Sequence, residues 1–169
     1  GNIDHKNKTQ TLKTHFNGCK NILKIFEKKK FKLFIQIGSS LEYGNLLSPH
    51  YEASKAYPKS LYGKAKLKAS NFIINLNKKK NFNFMILRLY QVYGPYQKFD
   101  RLIPFVIKKS IVNKKFDCTD GKQFRDFLHV DDLVNLFLKI LKKKKIKKGI
   151  YNVGTGNPLQ VRKIINIIS

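Results

Sequence analysis

Two short runs of the chain, Phe31 to Ile37 and Phe82 to Leu89, are almost continuously apolar. A strand with one wet face alternates apolar and polar residues, so runs without alternation suit strands covered on both faces of a parallel sheet. Between them, from Leu61, the residues Ala65, Ala69, Phe72, Ile73 and Leu76 fall on one helical stripe. Parallel neighbours cannot be joined by a hairpin and need a crossover, which is right-handed and usually helical. The alternation continues on both sides. Thr9 to Glu27 predicts a weakly amphipathic helix with Leu12, Phe16, Cys19, Leu23 and Phe26 inward. Leu102 to Val112 predicts a helix entered through Pro104, and Phe124 to Val130 a short extended piece. Asp131 and Asp132 open a further helix with the stripe Leu133, Val134, Leu136, Phe137, Ile140 and Leu141. Acidic residues at such a start cap it and complement the helix dipole. Gly149 to Val153 predicts a last strand, then a Gly-Asn-Pro turn and a final helix. There is no internal repeat and no Pro/Ser linker, and the pattern predicts a doubly wound α/β sheet.

In such sheets ligands sit beyond the carboxyl ends of the strands, so chemistry is sought just after Ile37 and Leu89. The first place reads Gly38-Ser39-Ser40-Leu41-Glu42-Tyr43-Gly44, and the next helix opens with Tyr62-Gly63-Lys64-Ala65-Lys66. Tyr62 and Lys66 are four apart and share a helix face. An ammonium beside a phenol favours the phenolate, and a nearby serine hydroxyl can hydrogen-bond a substrate oxygen. Together they form a proton relay for interconverting an alcohol and a ketone.

Five blocks carry a family resemblance. They are Ile37 to Gly44, Tyr62 to Lys66, Arg88-Leu89-Tyr90-Gln91-Val92-Tyr93-Gly94-Pro95, Asp120 to Asp132, and Tyr151-Asn152-Val153-Gly154-Thr155-Gly156. In this order they resemble the extended branch of the short-chain dehydrogenase/reductases, the NAD-dependent epimerases, dehydratases and ketoreductases of nucleotide sugars. The resemblance implies a Rossmann-like doubly wound parallel sheet with part of a smaller α/β substrate lobe. Residues 1–100 would form the second half of the NAD(P)-binding domain. Residues 101–169 would begin the substrate lobe, interleaved with a returning Rossmann helix and strand. It implies Ser39, Tyr62 and Lys66 as catalytic residues, and His15, Ser39, Tyr62, Lys66 and Tyr90 as contacts to NAD or NADP. Ser40, Gln91 and Arg125 would bind the nucleotide sugar, Arg125 gripping the diphosphate with its fork of donors. It also implies a homodimer paired through the helices 9–27 and 62–78.

The chain departs from the family at informative places. Dehydratase members usually carry acidic residues directly after the catalytic Ser/Thr, where this chain has Ser40 and Leu41. Glu42 is displaced by one and would point the other way on an extended backbone. That favours an epimerase or 4-ketoreductase over a 4,6-dehydratase. Gln91 stands where the family usually has Asn, and so does His15. No Gly-rich turn with an acidic residue about 20 positions further on is present. Gly154-Thr155-Gly156 resembles one only superficially and reads as a structural turn. The chain opens on Gly1 without a signal-peptide pattern and closes on apolar Val161 to Ser169, which reads as the middle of a longer protein, inactive in isolation.

Charge offers a rival reading. The chain has 35 Lys and Arg against 10 Asp and Glu, a net charge of +25, which invites nucleic-acid binding. A binding face, however, would interleave the charges with exposed aromatics and favour Arg. Here the lysines come in runs, Lys28 to Lys30, Lys78 to Lys80, Lys142 to Lys145, and Lys147 with Lys148, each at a helix end where cations are favoured and solvated. A non-catalytic assembly role is disfavoured because Ser39, Tyr62 and Lys66 are all present. His5, His15, His50 and His129 have no metal-ligand spacing, and Cys118 has no base at hand and reads as a packing residue. Two cysteines make no disulfide scaffold, so a reducing cytoplasm is expected. No apolar run approaches the ~18–20 residues of a membrane span.

Overall fold

The computed structural model describes residues 7–26 and 31–169. His5, Glu27 and Lys28 to Lys30 lie outside the described residues. Along the chain, α1 (Lys8–Leu12) passes through a π-helical turn (Lys13–Asn17) into α2 (Gly18–Phe26). Next come β1 (Phe34–Ser39), a 3-10 turn (Ser40–Glu42), α3 (Leu61–Lys80), β2 (Phe84–Leu89), β3 (Gln91–Tyr93) and α4 (Leu102–Ile111). The remainder is β4 (Phe124–Arg125), β5 (Phe127–His129), α5 (Val130–Lys142), β6 (Gly149–Val153), β7 (Leu159–Gln160) and α6 (Val161–Ile168). The chain divides into two compact units. The first runs to Leu89 and resumes for Lys145–Val153; the second comprises Tyr90–Lys144 and Gly154–Ser169.

In the first unit β1, β2 and β6 form a parallel sheet in the order β1-β2-β6, with α3 as the crossover from β1 to β2. β1 starts at Phe34 rather than Phe31 and carries on through Gly38 and Ser39, which pair with Arg88 and Leu89. Ser39 is therefore the last residue of a strand rather than part of a loop. The freed Phe31 packs edge-on against Phe34 and Phe82 and helps close the core. Ser60 caps α3 by accepting from the Gly63 N–H at 3.0 Å. Ala65, Ala69 and Ile73 of its stripe are fully buried. Ala69 and Ile73 meet Cys19 and Leu23 of α2 and Phe84 and Ile86 of β2 in one core.

The first helix differs from its simple periodicity. Thr11 is buried while Leu12 is only partly covered, and Phe26 is exposed. The π-helical turn is the cause: a wider turn between α1 and α2 shifts the phase of the buried face.

In the second unit β3 pairs with β5 in parallel, and β4 pairs with β7 antiparallel. The inward stripe of α5 is Leu133, Leu136, Phe137 and Ile140, spaced i, i+3, i+4, i+7; Val134 and Leu141, expected on it, are exposed. The cap of α5 is also a correction. His129 Nδ1 accepts from the Asp131 N–H, so Asp131 and Asp132 are first-turn acids rather than caps. Cys118 is exposed instead of packed; it lies in the irregular stretch after α4, where half-buried Phe116 meets Phe105 edge-on at 5.3 Å.

Among the described residues no helix is long and apolar enough to cross a membrane. No group of three or more His, Cys, Asp or Glu among them is placed to hold a metal ion.

Candidate active site

The end of β1, the turn after it and the start of α3 place Ser39, Ser40, Tyr62 and Lys66 in the first unit, and the π-helical turn adds His15. Ser39 is a reciprocal cap. Its Oγ accepts from the Leu41 N–H at 3.2 Å, and its own N–H donates to Glu42 Oε1 at 3.0 Å. One acceptor side of the hydroxyl is thereby used, and the hydroxyl proton remains available to donate to an incoming oxygen. The backbone after Ser39 is a 3-10 turn, not the extended segment assumed for Glu42. Glu42 is fully buried and its carboxylate turns back onto Ser39, Ser70 and Arg88.

Lys66 is 8% exposed and its Nζ donates to the Ile37 carbonyl at 2.8 Å. The same Nζ lies 5.5 Å from the centroid of the Tyr62 ring, as spacing on one helix face demands. Burial pushes the Lys66 pKa down, an effect opposed by attraction to Glu42 and, once its thiol ionises, to Cys19. Burial raises the pKa of the Cys19 thiol to about 11, with Lys66 pulling the other way. His15, in the π-helical turn, meets the Tyr62 ring edge-on at 4.9 Å. Such turns recur at functional sites. His15 thus bears on the candidate acid/base itself.

A buried lysine with a lowered pKa has a definite effect on stability. At neutral pH Lys66 is charged in both folded and unfolded chains, and the fold bears the cost of burying that charge. As pH rises the folded form loses its proton first, so the contribution of Lys66 to stability grows until pH reaches the ordinary lysine value of about 10.4. Lys66→Met is therefore expected to stabilise the chain by about 0.5–2 kcal/mol at neutral pH. Gln36 Nε2 still serves the Ile37 carbonyl in that variant. The gain should shrink as pH approaches 10 (about the lysine value), which thermal melts of both chains across that range would read. A gain that grew with pH would contradict the burial argument.

Tyr90, Gln91 and Arg125 belong to the second unit. The Gln91 N–H donates to the Asp126 carbonyl at 3.0 Å, and Gln91 stands opposite Phe127 in the β3–β5 register. Arg125 is therefore a near neighbour of Gln91 across that pairing. It is exposed, and its Nη1 donates to its own residue neighbour, the Phe124 carbonyl, at 2.7 Å. Tyr90 is half-buried directly before β3.

Asp126 was not singled out by the sequence pattern. Its carboxylate accepts from the Thr155 N–H and hydroxyl and from the Gly156 N–H, at 2.8, 2.7 and 2.8 Å. The Gly-Thr-Gly segment is thus a turn clamped by a carboxylate. Asn152 was equally silent in sequence. It accepts from the Tyr43 hydroxyl at 2.8 Å, donates to the His50 carbonyl at 2.9 Å and gives its backbone N–H to Glu52. These bonds hold the long loop between Gly44 and Ser60.

The fold has counterparts among known proteins. The chain belongs to the NAD dependent epimerase/dehydratase family, which it matches over residues 2–154. It is similar to CDP-abequose synthase of Salmonella muenchen, with 44% identity over 87 residues, 50% of this chain and 29% of that protein. It is 34% identical to human dTDP-D-glucose 4,6-dehydratase over 131 residues, 76% of this chain and 37% of that protein. Among solved structures it superposes on UDP-glucuronic acid 4-epimerase from Bacillus cereus in complex with NAD, with a TM-score of 0.91 and 27% identity, covering 99% of this chain and 54% of the other. The parallel α/β architecture is that of this Rossmann-like structure. The chain spans 29% and 37% of the two curated relatives' lengths.

Proposed function

We propose that the protein carrying this chain is an NAD(P)-dependent nucleotide-sugar epimerase or 4-ketoreductase, with Tyr62 as acid/base. The observation that carries this reading is the placement of the Lys66 ammonium 5.5 Å from the Tyr62 ring, on the helix that follows the Ser39 cap. A positive charge there favours negative charge on the phenol oxygen, so Tyr62 can take the proton of a sugar hydroxyl and return it. Ser39 donates to the same oxygen and orients it. Ser40 and Gln91 bind the sugar, and Arg125 binds the diphosphate.

The residues fit a nicotinamide cofactor. Lys66 has three N–H donors and one hydrogen-bond partner among the described residues, Ile37. Two donors are left for ribose hydroxyls. His15, Ser39, Tyr62 and Tyr90 complete the contacts. When bound, NAD or NADP supplies the hydride acceptor.

Two features favour epimerase or ketoreductase over 4,6-dehydratase. Ser40 and Leu41 hold the positions directly after Ser39, and the Glu42 carboxylate is engaged at 3.1 Å by Arg88. Exposed Ile22, Ile25 and Phe26 on α2 support a homodimer through the helices 9–27 and 62–78. A cytoplasmic location accords with two unpaired thiols. The lysines at helix ends serve solvation in this reading, and nucleic acid and membrane are not partners.

Incubation with UDP-, dTDP- and CDP-hexoses and NAD(P), and with their 4-keto derivatives and NAD(P)H, tests the proposal. The C4 epimer without net reduction indicates an epimerase. Consumption of NAD(P)H by a 4-keto sugar indicates a ketoreductase. A 4-keto-6-deoxy product would move the assignment to dehydratase, and no conversion of any nucleotide sugar would overturn it. Within it, Arg125→Ala should raise KM for the nucleotide sugar about 10–100-fold, the loss of a charge-assisted pair of hydrogen bonds, with kcat little changed. Unchanged KM would remove Arg125 from the diphosphate site.

A further inference from the structure

The carboxylate of Glu42 joins three elements at the end of β1. Oε1 accepts from the Ser39 N–H at 3.0 Å; Oε2 accepts from Ser70 Oγ of α3 at 2.9 Å and from Arg88 Nε of β2 at 3.1 Å. Glu42 and Ser70 are fully buried and Arg88 is 3% exposed. The guanidinium lies 4.5 Å from the ring centroid of Tyr43, itself fully buried. Gly38 makes the arrangement possible, since a Cβ there would come within 2.7 Å of Glu42 Oε1.

As a device for stability this pair is poorly built. It uses a single Arg nitrogen, and Arg88 Nη1 is buried with no hydrogen-bond partner among the described residues. A buried ion pair that leaves a donor unserved is generally matched or bettered by apolar residues of the same volume. Its location offers another explanation. Among the described residues the one backbone group that the carboxylate grips is the N–H of Ser39, and the pair ties that residue to α3, which carries Tyr62 and Lys66.

Resting on the function proposed above, we propose that Glu42 and Arg88 are positioning residues, a buried clamp that holds the Ser39 turn, and with it the serine hydroxyl, in its reactive orientation. Neither needs to touch substrate. Ser70 is the third arm, fixing the turn to the helix of the acid/base.

Removing Glu42 alone would strand the Arg88 charge and threaten the fold, so the test uses the apolar pair Glu42→Met/Arg88→Met, which leaves no acceptor for the Ser39 N–H. Its thermal midpoint should stay close to that of the parent chain. Hydrogen exchange of the peptide spanning residues 38–43 should nevertheless accelerate at least tenfold, or about the loss of one buried hydrogen bond. In the protein carrying the chain, kcat should fall by about tenfold or more while KM for the nucleotide sugar and binding of NAD(H) hold, because orientation is lost and binding is not. Unchanged exchange, or kcat equal to the parent's in a variant of equal stability, would overturn the clamp. Tyr62→Phe is the control for the underlying reading. If the parent turns over no nucleotide sugar, or Tyr62→Phe turns over normally, the functional assignment fails while the exchange measurement still decides the clamp.

Discussion

Tyr62→Phe should lower turnover of the protein carrying this chain by about 10²–10⁴-fold, the range that a positioned proton donor or acceptor contributes. At about 1.4 kcal/mol per tenfold, that is roughly 3–5 kcal/mol of lost transition-state stabilisation. The substitution removes one oxygen and leaves the ring. The edge-on contact with His15 at 4.9 Å and the approach of Lys66 Nζ at 5.5 Å are contacts of that ring, so the fold and the Lys66 position should persist. The expected signature is therefore a fall in kcat with unchanged thermal midpoint and unchanged affinity for NAD(H). Steady-state kinetics beside a thermal melt would read it. Turnover within tenfold of the parent would take the proton-transfer role away from Tyr62.

Gly63→Ala is the second large effect, and its sign runs against helix propensity. In a helix interior this exchange usually gains about 1 kcal/mol. Here an added Cβ would lie 2.4 Å from the Leu41 carbonyl oxygen and 3.0 Å from Pro58 Cβ. The first clash is with backbone, which cannot rotate away. Either α3 retreats or the Ser40–Glu42 turn shifts. The cost of such overpacking is about 1–3 kcal/mol, with about 2–4 °C of melting temperature lost per kcal/mol at this size. Activity should fall further than stability, because a displacement of about 1 Å between Ser39 and Tyr62 can cost a factor of about 10². Lys64→Ala, at an exposed neighbouring position, serves as the control and should change neither. A Gly63→Ala chain as stable and active as the parent would show that the close approach is not needed.

Gly63 illustrates how the site was only partly legible beforehand. The four-residue spacing of Tyr62 and Lys66 follows from the helix period, and the position of Ser39 just beyond a buried apolar run was readable from the order of residues, though the strand itself extends to include it. That helix α3 presses on the turn closely enough to exclude a methyl group is a matter of three-dimensional approach. Glu42 shows the same limit. On an extended backbone it would have pointed away, but the 3-10 turn redirects it inward, where it meets Arg88, a residue 46 positions downstream. Pairing at that separation leaves no periodic trace. Asp126 and Thr155, and Tyr43 and Asn152, are likewise joined by hydrogen bonds across 29 and 109 positions.

The local errors have physical causes of the same kind. Leu12 lost its inward place to the phase shift of a π-helical turn. Asp131 and Asp132 yielded the cap of α5 to His129, whose ring nitrogen reaches the helix N–H first. Cys118 stayed at the surface, in an irregular stretch with no period to place it.

Sequence by itself determined the alternation of strand and helix, the parallel sheet and the family, because these rest on hydrophobic period and on short motifs in a set order. Its motifs also pointed to Ser39, Tyr62 and Lys66 as candidates, through the resemblance to the family. The tertiary structure alone decided which groups hold them. The burial of Lys66, the return of Glu42 onto Ser39 and the pairing with Arg88 arise where β1, β2 and α3 converge. The energy of a buried charge depends on what surrounds it in space rather than on its neighbours along the chain.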